Sequence, residues 1–292
     1  KALFGTVVAW NLFVLLGYLG AGRLTFLWLR SVGLGVGASL AGGLVFALAP
    51  YRAVQGGAGH LLAWIAVLLP LSLWAWERRV YWLTAAALAT IPLSGQVHLA
   101  LGALPFVFAY ALVRGGDRRW AGGALAAGLA AGVLVWAISI RGSIGSSRSF
   151  AQVDRYSAEL ADFVSRDPRH GLEAFVFIGW LVPLLALLGF VLHRRTGLGL
   201  VLGAGALLPM VLALGANLPG YEALWETVPG LGVTRVPGRL MVVTCLALAG
   251  LSALGLEWVL QQRRGLVVLG AALILVGVDL RAGVTAYPPT AP

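Results

Sequence analysis

Residues 230–256 read GLGVTRVPGRLMVVTCLALAGLSALGL. The stretch changes character at Gly238. Before it, Pro229, Gly230, Gly232 and Pro237 interrupt any regular helix; after it, an almost unbroken apolar run predicts a membrane crossing over 238–261. Arg235 therefore falls on irregular backbone and Arg239 in the first turn of a helix. Two guanidiniums four residues apart at that height are suited to fork onto a phosphate or pyrophosphate, aided by the partial positive charge of the helix N-terminus near Gly238. Nonspecific contact with lipid headgroups is the competing reading.

Working outward, the whole chain has this apolar character. Mean hydropathy is +0.90, and only 11% of the 292 residues are charged, against about 25% in an ordinary soluble domain. At roughly 20 apolar residues per helical crossing, the chain offers about ten candidates: 2–22, 31–49, 59–77, 80–94, 97–113, 119–140, 173–193, 197–215, 238–261 and 265–281. The expected architecture is all-α: a polytopic transmembrane helix bundle of about ten crossings, forming one domain over 1–292, with short extracytoplasmic interfacial helices. The 40 glycines lie mostly inside apolar runs, where small residues let helices approach closely. The one cysteine, Cys245, excludes an intrachain disulfide.

The net charge of +10 is distributed at helix ends rather than along one face, which argues for topology and against nucleic acid. Alternate connections hold Arg23 with Arg30, Arg78 with Arg79, Arg114 with Arg118 and Arg119, Arg194 with Arg195, and Arg263 with Arg264. By the positive-inside rule these connections are cytoplasmic, and both chain ends lie outside. The longer connections of the opposite set do carry arginine, but accompanied by acids: 141–172 has Arg141, Arg148, Arg155, Arg166 and Arg169 beside Asp154, Glu159, Asp162 and Asp167.

The outer connections hold the chemistry. Pro50 ends a helix and Gly56–Gly57 permits a turn, which sets Tyr51, Arg52 and His60 at the membrane edge, an aromatic and a cation suited to a phosphate or a sugar ring. A belt tyrosine and a snorkelling arginine are the alternative. Gln96 and His98 open another crossing, where a histidine just inside a bilayer is costly without a partner. From Asp154 to Val164 the pattern predicts an amphipathic turn or short helix with Tyr156, Leu160 and Phe163 on one stripe. On its other face Glu159 and Asp162 are placed to share a proton or a cation, or to form a solvated ion-pair face with nearby arginines. No metal is implied by ligand spacing. Charged residues elsewhere read as structural: Glu77 beside Arg78 and Arg79, Glu257 near Arg263 and Arg264, and Asp279 near Arg281.

Four stretches, taken in order, carry a resemblance: LFGTVVAWNLFVLLGYLGAG (3–22), GGLVFALAPYRAVQGGAGHL (42–61), YSAELADFVSRDPRH (156–170) and the opening stretch. Together they resemble the middle of large bacterial multi-spanning proteins of the GT-C glycosyltransferase superfamily. The resemblance implies a protein of the bacterial cytoplasmic membrane that transfers a sugar from a polyprenyl-phosphate carrier, at the extracytoplasmic face, to a glycan or protein acceptor. It further implies an acidic residue in the first outer loop. No Asp or Glu precedes Glu77, so the expected catalytic acid falls upstream of this segment, and an extracytoplasmic domain is expected to follow it. On this view Arg52, His60, Arg235 and Arg239 help hold donor or acceptor. A lipid or solute transporter and a noncatalytic membrane assembly subunit are the rival classes; the first calls for polar residues at mid-membrane.

Overall fold

A computed structural model describes residues 5–141, 149–167, 171–262 and 265–280. Among them the regular structure is entirely helical, without a strand. The major helices are α1 (Thr6–Val32), α2 (Val36–Leu48), α3 (Pro50–Gly57), α4 (Leu62–Ile65), α5 (Leu68–Glu77), α6 (Tyr81–Leu93), α7 (Val97–Arg114) and α8 (Arg118–Arg141). After the short α9 (Phe150–Arg155) come α10 (Leu181–His193), α11 (Gly197–Leu212), the short α12 (Tyr221–Thr227), α13 (Met241–Leu260) and α14 (Gly265–Asp279). Five helical segments are long and apolar enough to cross a membrane: Val8–Val32, Val36–Gly57, Val97–Arg114, Arg118–Ile138 and Pro237–Leu260. The remaining apolar helices are 10–17 residues long.

Several boundaries differ from expectation for identifiable reasons. α1 runs past Arg23 and Arg30 and stops at Gly33, whose φ of 105° lets its N–H reach the Arg30 carbonyl while Leu34 N–H reaches Leu29. The candidate at 59–77 is broken: Gly59, with φ 76°, turns the chain after α3, and i to i+3 bonds from Val67 and Leu69 tighten the step between α4 and α5. The helix expected from 173 begins only at Leu181, because Phe175–Ile178 lies buried in non-helical backbone and Gly179 adopts φ 101°. Of the amphipathic turn or short helix expected over 154–164, the structure forms a short turn and not one continuous helix. α9 ends at Arg155, and Glu159 with Asp162 opens a separate 3-10 turn over Leu160–Phe163 as a capping box, which leaves Leu160 77% exposed and breaks the predicted stripe.

α13 organises the packing. Its residues Met241 through Leu256 are all buried, and it contacts α2, α7, α10, α11 and α14. Since lipid gives apolar helices little reason to associate, close packing at small residues must do so. Gly189 of α10 faces the Leu251 carbonyl and the Gly255 amide, and Gly255 in turn faces the Leu185 carbonyl; a methyl on either would overlap backbone. Gly42 of α2 admits Leu29, Ala253 and the Ala249 carbonyl in the same manner. The α13 hydroxyls are each spent on a neighbour's carbonyl, Thr244 on Ala206 at 2.9 Å and Ser252 on Val182 at 3.0 Å. The outward surfaces stay apolar: Leu15, Leu16 and Leu19 on α1, Leu184 and Leu187 on α10, and Val133, Leu134 and Trp136 on α8 are exposed, as expected of faces that meet lipid.

Side-chain contacts gather the helix ends into two groups. At the arginine-rich end, Glu77 accepts from Arg114 Nε at 2.7 Å, from Arg114 Nη2 at 2.9 Å and from the Tyr110 hydroxyl at 2.7 Å, so it pairs across to α7 rather than with Arg78 and Arg79. Glu257 caps the start of α2 by accepting the Gly35 N–H at 2.9 Å; its expected partners Arg263 and Arg264 lie outside the described residues. At the opposite end, where the longer connections lie, Asp279 of α14 is buried and caps α10. Its carboxylate accepts the N–H groups of Trp180 at 2.8 Å and Leu181 at 2.7 Å, with Arg166 Nη2 3.6 Å away; Arg281 lies outside the described residues.

Gly189→Ala forces α10 off α13 and is expected to cost about 1–3 kcal/mol, read as a lower midpoint of thermal unfolding in detergent. Gly123→Ala on α8, where an added methyl meets nothing, leaves the midpoint unchanged.

Candidate functional site

At the loop end, four separate segments converge on one polar cluster. Gln55 comes from α3, His60 from the turn after it, Glu173 from the irregular backbone before α10, and Arg239 from the 3-10 turn Pro237–Leu240 that leads into α13. Pro237 starts that turn and both Pro237 and Gly238 are buried, so the Arg239 backbone is fixed where its side chain emerges half-buried.

Hydrogen bonds link His60 to Gln55 and Gln55 to Leu172, and separately Arg239 to Glu173. Gln55 Nε2 donates to the Leu172 carbonyl at 3.1 Å, which turns the amide oxygen toward His60. His60 Nδ1 lies 2.6 Å from that oxygen; since a carbonyl oxygen only accepts, Nδ1 carries the proton. The other ring nitrogen, Nε2, faces Glu173 Oε1 at 3.7 Å. Glu173 is held in turn by Arg239, whose Nη2 donates to Oε1 at 2.8 Å and whose Nε donates to Oε2 at 3.3 Å, a side-on two-point contact. Burial lowers the His60 pKa below the ordinary histidine value; the Glu173 carboxylate opposes that shift and Arg239 adds to it.

The predicted residues fall into distinct environments. His60 and Arg239 meet, through Glu173. Arg235 is exposed, with its guanidinium carbon 6.0 Å from the centroid of the Tyr156 ring, which Arg155 also approaches at 5.7 Å. His98 is buried in the first turn of α7, where its Nε2 accepts the Val236 N–H at 3.4 Å and ties the irregular stretch to that helix. Gln96 is the N-cap residue of α7 but does not cap it with its side chain.

Tyr51 and Arg52, expected at the membrane edge where a phosphate or sugar could reach them, are buried at 0% and 1% exposure. Arg52 folds back: Nη1 donates to the Phe46 carbonyl at 2.7 Å and to that of Ala47 at 3.2 Å, Nη2 donates to Ala63 at 2.7 Å, and the guanidinium lies 4.4 Å from the Phe46 ring centroid. It thereby closes the break between α2 and α3, where Pro50 has removed a helical donor. Glu159 and Asp162 serve each other's backbone, with the Glu159 N–H donating to Asp162 Oδ2 at 2.8 Å, so both carboxylates are drawn into the local turn. Among the described residues no group of three or more His, Cys, Asp or Glu is placed to hold a metal ion.

Glu173 is the member that sequence reasoning missed, since it fell at the start of an expected helix. One signal was available: it is the only acidic residue between Asp167 and Glu222. An isolated carboxylate beside a long apolar run calls for a specific partner.

Comparison with protein-family models, with curated proteins and with solved structures finds no match for this chain. What composition and fold define together is an all-helical membrane protein, polar in a concentrated way at one end.

Because the unfolded chain takes up a proton at His60 more readily than the folded one, stability is expected to fall as pH drops below about 6.5 and towards the lower folded value. Unfolding followed across pH 5–7 should show this decline, and His60→Gln should flatten it.

Proposed function

We propose that this chain forms the membrane-embedded part of a GT-C-like glycosyltransferase that uses a polyprenyl-phosphate-linked sugar, with its site at the loop end and that end facing away from the cytoplasm. The observation that carries the proposal is the convergence of Gln55, His60, Glu173 and Arg239 from four segments at one end of the helical assembly, with the exposed Arg235 four residues before Arg239. The resemblance in sequence described above supplies the reaction class.

The chemistry follows from where such a carrier lies. Its hydrocarbon chain remains among the lipids while its phosphate stays at the interface, at the height of a helix that has just emerged. As the sugar departs, the phosphate gains negative charge, and fixed guanidinium groups lower the energy of that charge without having to reorganise. Arg235, exposed on irregular backbone, is placed to reach a phosphate; the Tyr156 ring beside it offers a flat face for a sugar. Deprotonating the acceptor hydroxyl calls for a carboxylate base, which the resemblance puts in an outer loop upstream of this segment.

A transporter would instead require polar groups along a path through the membrane. The buried hydroxyls of α13 are committed to carbonyls of α10 and α11, which favours the one-ended reading.

The test is binding of farnesyl phosphate to the protein in nanodiscs. Replacing Arg235 and Arg239 together with alanine is expected to weaken binding at least about tenfold, with a cooperative thermal melt showing that the variant is folded. Equal affinity in the folded double variant overturns the assignment.

A further inference from the structure

If the loop-end cluster is a phosphate site, Glu173 poses a problem, because it already sits where the ligand should. The fork that Arg239 offers to phosphate is the same two-point surface it now presents to this carboxylate, at 2.8 and 3.3 Å. We propose that Glu173 is a resident counter-anion: it occupies the phosphate position on Arg239, and a lipid-linked phosphate binds by displacing it. The proposal rests on the reading of the site given above and adds to it a gate made from the protein's own chain.

Three observations support displacement over a permanent structural pair. The first is access. The Arg239 and Glu173 side chains are 19% and 22% exposed, enough for an anion to approach from the loop end.

The second is how the two side chains are held. Arg239 belongs to a turn anchored by buried Pro237 and Gly238 at the head of the most buried helix. Glu173 lies between Leu172, whose carbonyl accepts from Gln55, and the buried Phe175–Ile178, so its backbone is fixed as well and displacement of the carboxylate is a rotation of its side chain alone.

The third is charge. With His60 neutral, Glu173 and Arg239 cancel, so the closed cluster offers no net attraction to an incoming phosphate. Moving the carboxylate off Arg239 restores an uncompensated cation at the same place.

The experiment measures farnesyl phosphate binding in nanodiscs for the wild-type protein and for Glu173→Gln, Arg239→Gln and the double variant, with farnesol and inorganic phosphate as separate probes. Glu173→Gln keeps the side-chain shape but removes the charge, and it is expected to bind farnesyl phosphate about tenfold more tightly. Farnesol binding should stay the same, and inorganic phosphate should gain in the same direction. In the Arg239→Gln background the substitution at 173 should bring no gain, since nothing is left to uncover. Weaker or equal binding by folded Glu173→Gln, alongside a loss in Arg239→Gln, overturns the gate and leaves the phosphate site standing. No change in Arg239→Gln overturns the site itself. Should Glu173→Gln fail to fold, Glu173→Asp decides the matter: a carboxylate one methylene shorter cannot make both contacts, so binding should again tighten, and wild-type affinity would refute the proposal.

Discussion

The burial of α13 on every side is the constraint from which both ends of the molecule follow. A helix with neighbours all around it in lipid gains little from hiding apolar surface and must depend on contact at short range. Gly189 against Leu251 and Gly255, and Gly42 against Ala249 and Ala253, provide that contact. Because α13 cannot shift without opening these seams, whatever it carries at its ends is held in place: Arg239 at the head, Glu257 at the foot. The carboxylates at the two ends serve different purposes. Glu257 leaves α13 to close the start of α2, whereas Arg239 receives Glu173 from the segment before α10.

Much of the architecture was legible in the sequence, because apolar runs about as long as a bilayer is thick are a strong and local signal. Each of the ten candidate runs contains helix, but only five helical segments are long and apolar enough to cross a membrane, and Arg23 and Arg30 lie within α1 rather than in a connection. What could not be read were the places where tertiary contacts override the local pattern. Residues 173–180 look like the first turns of an apolar helix. They are held in a non-helical course by burial of Phe175–Ile178 and by a cap that arrives from Asp279. The 154–164 stretch has the spacing of an amphipathic helix, but Glu159 and Asp162 satisfy each other's backbone and start a new turn instead.

The site was legible in its members more than in its geometry. His60, Arg235 and Arg239 stood out because polar groups near a membrane are expensive, and that reasoning applies to any one residue taken alone. Pairing was out of reach: nothing local tells that Arg52 would turn inward onto the carbonyls of Phe46, Ala47 and Ala63, while Arg239 would turn toward a carboxylate. An arginine following a proline-broken helix end has two ways to satisfy five donors, in water or on exposed carbonyls. Which of them prevails depends on how the next helix packs.

The cap on α10 has a consequence for biogenesis. Its donors at Trp180 and Leu181 wait on a carboxylate supplied 99 and 98 residues later in the chain. Until that residue has been synthesised, the first amides of α10 lack the partner they have in the folded protein, and the start of the helix is completed only when α14 packs beside it.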